Sequence, residues 1–343
     1  MKIGVLTGGG DCPGLNAAIR AVVRKSLECG HTVTGINNGW AGVLNADGRD
    51  IDDRTVSGIL PLGGTILGTS RTNPIKMERG MERVKEGFEK LGLDVLIAIG
   101  GDDTLSVAHR LFQLGVPTVG VPKTMDNDVY GTDYCIGFDS AVSTATDALD
   151  KLHTTASSHH RAMVLEVMGR DAGWVAVVAG IAGGADYILI PEVPTPITDI
   201  CDHLFQRRAK GKDFSIIVVA EGAQCTDLDD EDGSGAEIDA FGHVRLDRRG
   251  IGERVGREIE KRTKIETRVT VLGHVQRGGS PTVFDRMLAT RLGVHAVEYV
   301  HKGMYGVMPA LHGANIEPVD LATAVSQNRK LSVELYNLAR TFF

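Results

Sequence analysis

Short apolar runs that break directly into glycine-rich polar loops recur along this chain, and they limit its fold more than any other feature. Ile3 to Leu6 runs into Thr7-Gly8-Gly9-Gly10-Asp11-Cys12-Pro13-Gly14, and Val95 to Ile99 into Gly100-Gly101-Asp102-Asp103-Thr104. Val116 to Val121 runs into Pro122-Lys123-Thr124-Met125-Asp126-Asn127-Asp128, and Ile216 to Ala220 into Glu221-Gly222-Ala223-Gln224. Glycine accounts for 43 of 343 residues, well above the usual ~7%. Apolar runs of this length, bounded by turn residues, read as buried strands. Helical spacing lies between them, over Asn16 to Cys29, Lys76 to Leu91, Thr104 to Gln113, Ala141 to Thr155 and Gly252 to Arg262. Strand, loop and helix in alternation predict an α/β fold with mostly parallel sheets, whose ligands sit at the carboxyl ends of the strands. All of the polar loops fall there.

The length exceeds what one core usually fills, which allows one very large domain or two interleaved ones, and two lobes are expected. With 42% apolar and 24% charged residues, and no apolar stretch long enough to span a bilayer, the chain reads as soluble. Its N-terminus reads as a strand and loop instead of a secretory signal, which predicts a cytoplasmic protein. Five widely spaced cysteines without a C-x-x-C pair predict reduced thiols and no zinc site. A formal charge of −7 argues against a sequence-independent grip on nucleic acid, so any bound phosphate must meet local positive charge. The acidic run over 226–240, with Asp227 at its start, reads as a solvated surface loop.

The chemistry lies in three loops. Side-chain-free residues over Gly8 to Gly10, ahead of a helix, let backbone N–H groups approach a phosphate; a tight turn that needs glycine for geometry alone is the alternative. The loop is neither a Walker A nor a Rossmann fingerprint. In the second loop, strand-end carboxylates facing phosphate call for a hard cation between them, and Mg2+ is the ion that prefers oxygen and bridges phosphates. Lipid and NAD kinases share a loop of this kind. The third, Pro122 to Asp128, holds a base, a cation and a hydroxyl in seven residues, the set that transfer of a phosphoryl group to an alcohol requires.

Taken together, TGGGDCPGLNAAIR, GGTILGTSR, GGDDT, PKTMDND, SSHHRAMVLEVMGRDAGW, AEG and TVLGHVQRGGSP resemble the phosphofructokinase family in order and spacing, from Lys2 to about Asp285. The resemblance implies two Rossmann-like three-layer lobes with the sugar phosphate held between them. The expected donor lobe is 1–138 with about 250–305, and the fructose 6-phosphate lobe 139–249 with about 306–343. It implies that Asp126 is the base for the 1-hydroxyl of fructose 6-phosphate, supported by Asp128, and that Asp102 is the Mg2+ carboxylate. Gly10 and Arg71 match donor-phosphate groups, and Thr124 and Arg170 match groups that stabilise the migrating phosphoryl. Met168, Gly169, Glu221, His274 and Arg277 would line the sugar site. Arg161 and Arg268 resemble arginines that reach the 6-phosphate from a neighbouring subunit, so a homodimer or homotetramer with shared sites is implied.

Two positions bear on the donor. Pyrophosphate users in the family resemble this chain at Asp103 and Lys123, where ATP users often carry glycine. An aspartate beside the metal carboxylate would project toward an α-phosphate, and like charges ~4 Å apart at an effective dielectric of ~20 repel by roughly 4 kcal/mol. Pyrophosphate ends one phosphate sooner, and Lys123 would hold its leaving phosphate. The expectation is therefore Mg2+-dependent transfer from pyrophosphate to fructose 6-phosphate. An ATP-dependent phosphofructokinase is the alternative, and a non-catalytic sugar-phosphate sensor the remote one.

Overall fold

The computed structural model describes residues 1–228 and 250–343. The acidic run beyond Leu228 lies outside the described residues, which fall into two compact units, 1–140 with 277–329 and 141–276 with 330–343.

The first unit is built on β1 (Lys2–Thr7), β2 (Thr32–Ile36), β3 (Gly48–Ile51), β4 (Val95–Gly100), β5 (Thr118–Pro122), β10 (Val307–His312) and β11 (Asn315–Asp320). They form a seven-stranded sheet in the order β11-β10-β5-β4-β1-β2-β3. The strands from β10 to β2 are parallel, and antiparallel β11 and β3 close the edges. Its helices are α1 (Leu15–Glu28), α2 (Trp40–Leu44), α3 (Gly80–Lys90), α4 (Asp102–Gln113), α9 (Val283–His301) and α10 (Leu321–Ala324), with the start of α5 (Phe138–His159). Alternate residues of β1 face opposite layers. Ile3 and Val5 join a buried cluster with Leu15, Ile19 and Val22 of α1 and Leu288 and Leu292 of α9, whereas Leu6 joins Trp40, Phe88, Leu105 and Leu111. Burial on both faces explains why these strands read as unbroken apolar runs.

The second unit has a parallel four-stranded sheet in the order β7-β8-β6-β9, from β6 (Ala162–Val167), β7 (Tyr187–Leu189), β8 (Ser215–Ala220) and β9 (Thr267–Val271). Its helices are the rest of α5, α6 (Trp174–Ala182), α7 (Ile197–Ala209), α8 (Ile251–Thr263) and α11 (Val333–Arg340), and α7 and α8 share a core with β6 and β8 through Ile200, Leu204, Val255 and Ile259.

Four expectations differ from this arrangement. The segment 250–276 was expected in the first lobe, but β9 pairs with β6, Arg268 lying opposite Met163, and this carries α8 and β9 into the second unit. Conversely β10 pairs with β5 and β11 with β10, so residues 307–320 complete the first sheet. The helix expected from Lys76 begins at Gly80, because Pro74–Lys76 is a 3-10 turn and Arg79 adopts a left-handed φ of 50°. Asp227 is a helix cap and not merely solvated: its carboxylate accepts the N–H groups of Ile197 (2.5 Å) and Thr198 (3.3 Å) at the start of α7 and pairs with Arg262 at 2.5 Å. Burial pushes its pKa up, but the Arg262 guanidinium and the two N–H groups outweigh that and hold it at about 2.

Candidate functional site

In the first sheet β1 connects toward β2 on one side while β4 lies on the other, so the chain order reverses between β1 and β4. A crevice at the carboxyl ends of such strands is where open α/β sheets bind ligands. The loops after β1, β4 and β5 all leave at that edge.

Their side chains and carbonyls interlock. Thr104, in the first turn of α4, packs so closely that a Cβ on Gly8 would lie 2.5 Å from its Oγ1 and one on Gly100 only 2.3 Å from its Cβ. Close approach of a helix, then, accounts for these two glycines. The ammonium of Lys123 donates to the carbonyls of Gly8 (3.1 Å) and Gly10 (2.6 Å), while its backbone N–H donates to Gly100 at 3.0 Å. Lys123 is 3% exposed, and burial pushes its pKa below the ordinary lysine value, with Arg277 acting in the same direction and Cys12, Asp11 and Asp128 opposing. Two of its three donors therefore brace the glycine loop. The Arg277 guanidinium donates to the Asp11 carbonyl at 3.1 Å, which places this residue over the glycine loop of the first unit.

A second layer of residues, to none of which the sequence analysis gives a role, fixes these loops. Asn16, 2% exposed, accepts the Ile66 N–H (2.8 Å) and donates to the Leu62 and Gly63 carbonyls. Thr69 donates to the Gly9 carbonyl at 2.6 Å, and the Gly9 N–H donates to Ser70 at 3.3 Å. Asn73 donates to the Asp103 carboxylate at 3.2 Å. Asn127, buried with a φ of 54°, a conformation asparagine tolerates better than most residues, accepts the Cys135 N–H (2.8 Å) and donates to the Asp133 carbonyl (3.1 Å). It thereby anchors the turn that carries Asp126 and Asp128, and the Asp126 N–H donates to Thr124 Oγ1 at 3.1 Å. Neither α1 nor α4 has a side-chain N-cap, so the first-turn N–H groups of both helices point to this edge without one. Asp102 and Asp103 occupy the first turn of α4. Arg71 is exposed and, among the described residues, in no ion pair.

In the second unit, Met168, Gly169 and Arg170 follow β6 and Glu221 follows β8. The Glu221 N–H donates to the Val167 carbonyl (2.9 Å) and the Gly222 N–H to Gly169 (3.1 Å). A Cβ on Gly222 would lie 1.9 Å from the Arg170 carbonyl oxygen, so no larger residue fits. Gln276 accepts the Met168 N–H at 2.7 Å. Arg170 pairs with Asp171 at 3.2 Å. Glu266, not foreseen from the motifs, pairs with Arg161 at 2.8 Å and also with Arg268, so one carboxylate gathers the two arginines. His274 is exposed in the turn after β9.

Among the described residues no group of three or more histidine, cysteine or carboxylate side chains gathers to hold a metal, and no helix is long and apolar enough to cross a membrane.

Glycine loops and carboxylates set at the reversal point of a doubly wound sheet are the layout of a phosphate-handling α/β protein. The phosphofructokinase family matches residues 2–300. A pyrophosphate–fructose 6-phosphate 1-phosphotransferase of Streptomyces coelicolor is 53% identical, with all of both chains covered. An ATP-dependent 6-phosphofructokinase of Corynebacterium efficiens is 50% identical over all of this chain and 99% of its own. Among solved structures, Pichia pastoris phosphofructokinase in the T-state superposes with a TM-score of 0.83 at 31% identity, over 99% of this chain and 36% of that one, so this chain spans about a third of its length. The chain belongs to the phosphofructokinase family. The family resemblance and the α/β fold with mostly parallel sheets, both expected from the motifs, are thereby borne out.

Proposed function

We propose that this enzyme transfers a phosphoryl group from pyrophosphate to the 1-hydroxyl of fructose 6-phosphate, giving fructose 1,6-bisphosphate and phosphate, in glycolysis and gluconeogenesis. The observation that carries this reading is the pair of carboxylates, Asp102 and Asp103, in the first turn of α4, on the sheet edge where Lys123 braces the glycine loop. Relatives named for pyrophosphate and for ATP are nearly equally similar, so the donor is read from these residues and not from overall identity.

In this reading Asp126 accepts the proton of the 1-hydroxyl as the oxygen attacks, and Asp128 supports it. Thr124 and Arg170 stabilise charge on the migrating phosphoryl. Gly10 and Arg71 hold the donor, and Lys123, two of whose donors brace the Gly8 and Gly10 carbonyls, holds the leaving phosphate with its positive charge. Met168, Gly169, Glu221, His274 and Arg277 orient the sugar, and Arg161 and Arg268 take a 6-phosphate from a neighbouring subunit of a homodimer or homotetramer. Glu266, which gathers those two arginines, supports their acting together. The hard oxygen donors at the start of α4 fit Mg2+, and Asp102 would be the residue that holds it. When bound, the ion neutralises charge developing on the phosphates. Because pyrophosphate cleavage is less driving than ATP cleavage, the reaction runs in both directions. The activity is placed in the cytoplasm, as the resemblance and the N-terminal strand and loop imply.

The test is formation of fructose 1,6-bisphosphate with Mg2+ and either pyrophosphate or ATP at equal concentration. Turnover with pyrophosphate alone is expected. Turnover with ATP alone would overturn the donor assignment, and silence with both would favour the sensor.

A further inference from the structure

We propose that Asn73 is a positioning residue for donor selectivity, its side-chain amide fixing the Asp103 carboxylate where that carboxylate excludes a donor longer than pyrophosphate. The inference rests on the reading of Asp103 given above.

Asn73 is itself held on several sides. Its Oδ1 accepts the Ile75 N–H at 3.0 Å, which commits the oxygen and turns the amide nitrogen to Asp103, 3.2 Å away. The next residue, Pro74, is buried at the head of the 3-10 turn, and a proline confines the residue before it to extended backbone; Asn73 accordingly has φ −115° and ψ 100°. The segment ahead of it is tied to the glycine loop by Thr69 and Ser70, and the Ser70 hydroxyl donates to the Asn38 carbonyl at 2.7 Å. One stretch of chain therefore reaches from the glycine loop to the first turn of α4 and ends in the amide on Asp103.

The physical need for such a brace follows from how the discrimination works. Repulsion falls with distance, and a carboxylate free to recede from ~4 to ~7 Å from an α-phosphate would give up about twentyfold of its discrimination at an effective dielectric of ~20. A carboxylate that loses the Asn73 amide loses one of the contacts that oppose such a displacement. Nothing about residue 73 itself touches the reacting atoms in this account, so its effect must pass through Asp103.

The experiment compares Asn73→Ser, Asp103→Gly and the double variant, reading kcat and KM for pyrophosphate and for ATP with fructose 6-phosphate and Mg2+. Serine keeps an oxygen for the Ile75 N–H but has no reach to Asp103, and Asn73→Thr serves if the serine variant does not fold. Asn73→Ser is expected to lower the preference for pyrophosphate over ATP by about tenfold to twentyfold, with KM for ATP carrying the change and kcat with pyrophosphate within about twofold. In the Asp103→Gly background it should change the preference no further. If Asp103→Gly lowers the preference and Asn73→Ser does not, the role of Asn73 is overturned while the reading of Asp103 stands. Unequal but additive effects in the double variant would overturn it too, since Asn73 would then act by another route. If Asp103→Gly leaves the preference unchanged, the reading of Asp103 fails and takes this inference with it.

Discussion

The ammonium of Lys123 lies 2.6 Å from the carbonyl oxygen of Gly10, across 113 residues of sequence, and bonds the Gly8 carbonyl as well. A charged side chain is thus spent on shaping the glycine loop. Lys123→Met should leave both carbonyls without this partner, at about 1–3 kcal/mol for a buried group, partly offset by removing a buried charge. Turnover with pyrophosphate should fall at least a hundredfold, because the loop loses its shape together with its local positive charge. Unchanged pyrophosphate kinetics in a folded Lys123→Met protein would refute this role.

Asp126 sits on a turn that Asn127 anchors from a buried position. Asp126→Asn should lower kcat by about 10²–10⁴, the range for losing a general base, with KM for pyrophosphate and melting temperature nearly unchanged. Asn127→Ala should instead lower the melting temperature and kcat together, since it releases the turn. Steady-state kinetics beside thermal melts separate the two.

Asp285, fully buried at the head of α9, accepts the N–H groups of Gly137 (2.9 Å) and Ser140 (2.8 Å) and the Ser140 hydroxyl (2.6 Å), and so caps α5. Burial pushes its pKa up from 3.8 to about 6 against those hydrogen bonds. The folded protein thus holds the proton more tightly than the unfolded chain, and stability falls as pH rises from about 4 to about 6, by about 3 kcal/mol in all. Asp285→Asn cannot titrate. The stability of the parent minus that of the variant should therefore decline across this window and level off above it; a difference that stays flat from pH 3.5 to 7 would sink the assignment.

Asp227 has the opposite sign. Its folded pKa of about 2 lies below the ordinary 3.8, so its contribution is present above pH 4 and is lost as pH falls toward 2. Discounted for its partial exposure, Asp227→Ala should cost about 1 kcal/mol at neutral pH, through loss of the α7 cap and the Arg262 pair. Denaturant titrations at pH 7 and pH 3 should show the gap narrowing.

Much of the architecture was legible in the sequence for a local reason. A strand buried on both faces must be apolar throughout, and a helix packed near its carboxyl end needs small residues where they meet, so Ile3 to Gly10 and Val95 to Thr104 announce themselves. The predicted starts and ends of α1, α4, α5 and α8 lie within four residues of those in the structure, and the end of α4 at Gln113 coincides. What local pattern could not carry is pairing between distant segments. The allocation of β9, β10 and β11 to their sheets depends on which strand each one meets, and an apolar run carries no mark of its neighbour.

The same division runs through the site. The sequence by itself determined that the aspartates, the lysine and the glycine loops fall directly after strands, at the edge where such sheets take ligands, because that placement is local. Only the tertiary structure decided what holds them: Asn73 on Asp103, Lys123 on Gly10 and Gln276 on Met168 are hydrogen bonds closed over 30, 113 and 108 residues. Such bonds form only when folding has already brought the two segments within about 3 Å, and an asparagine or glutamine that makes one is indistinguishable in the chain from one that faces water.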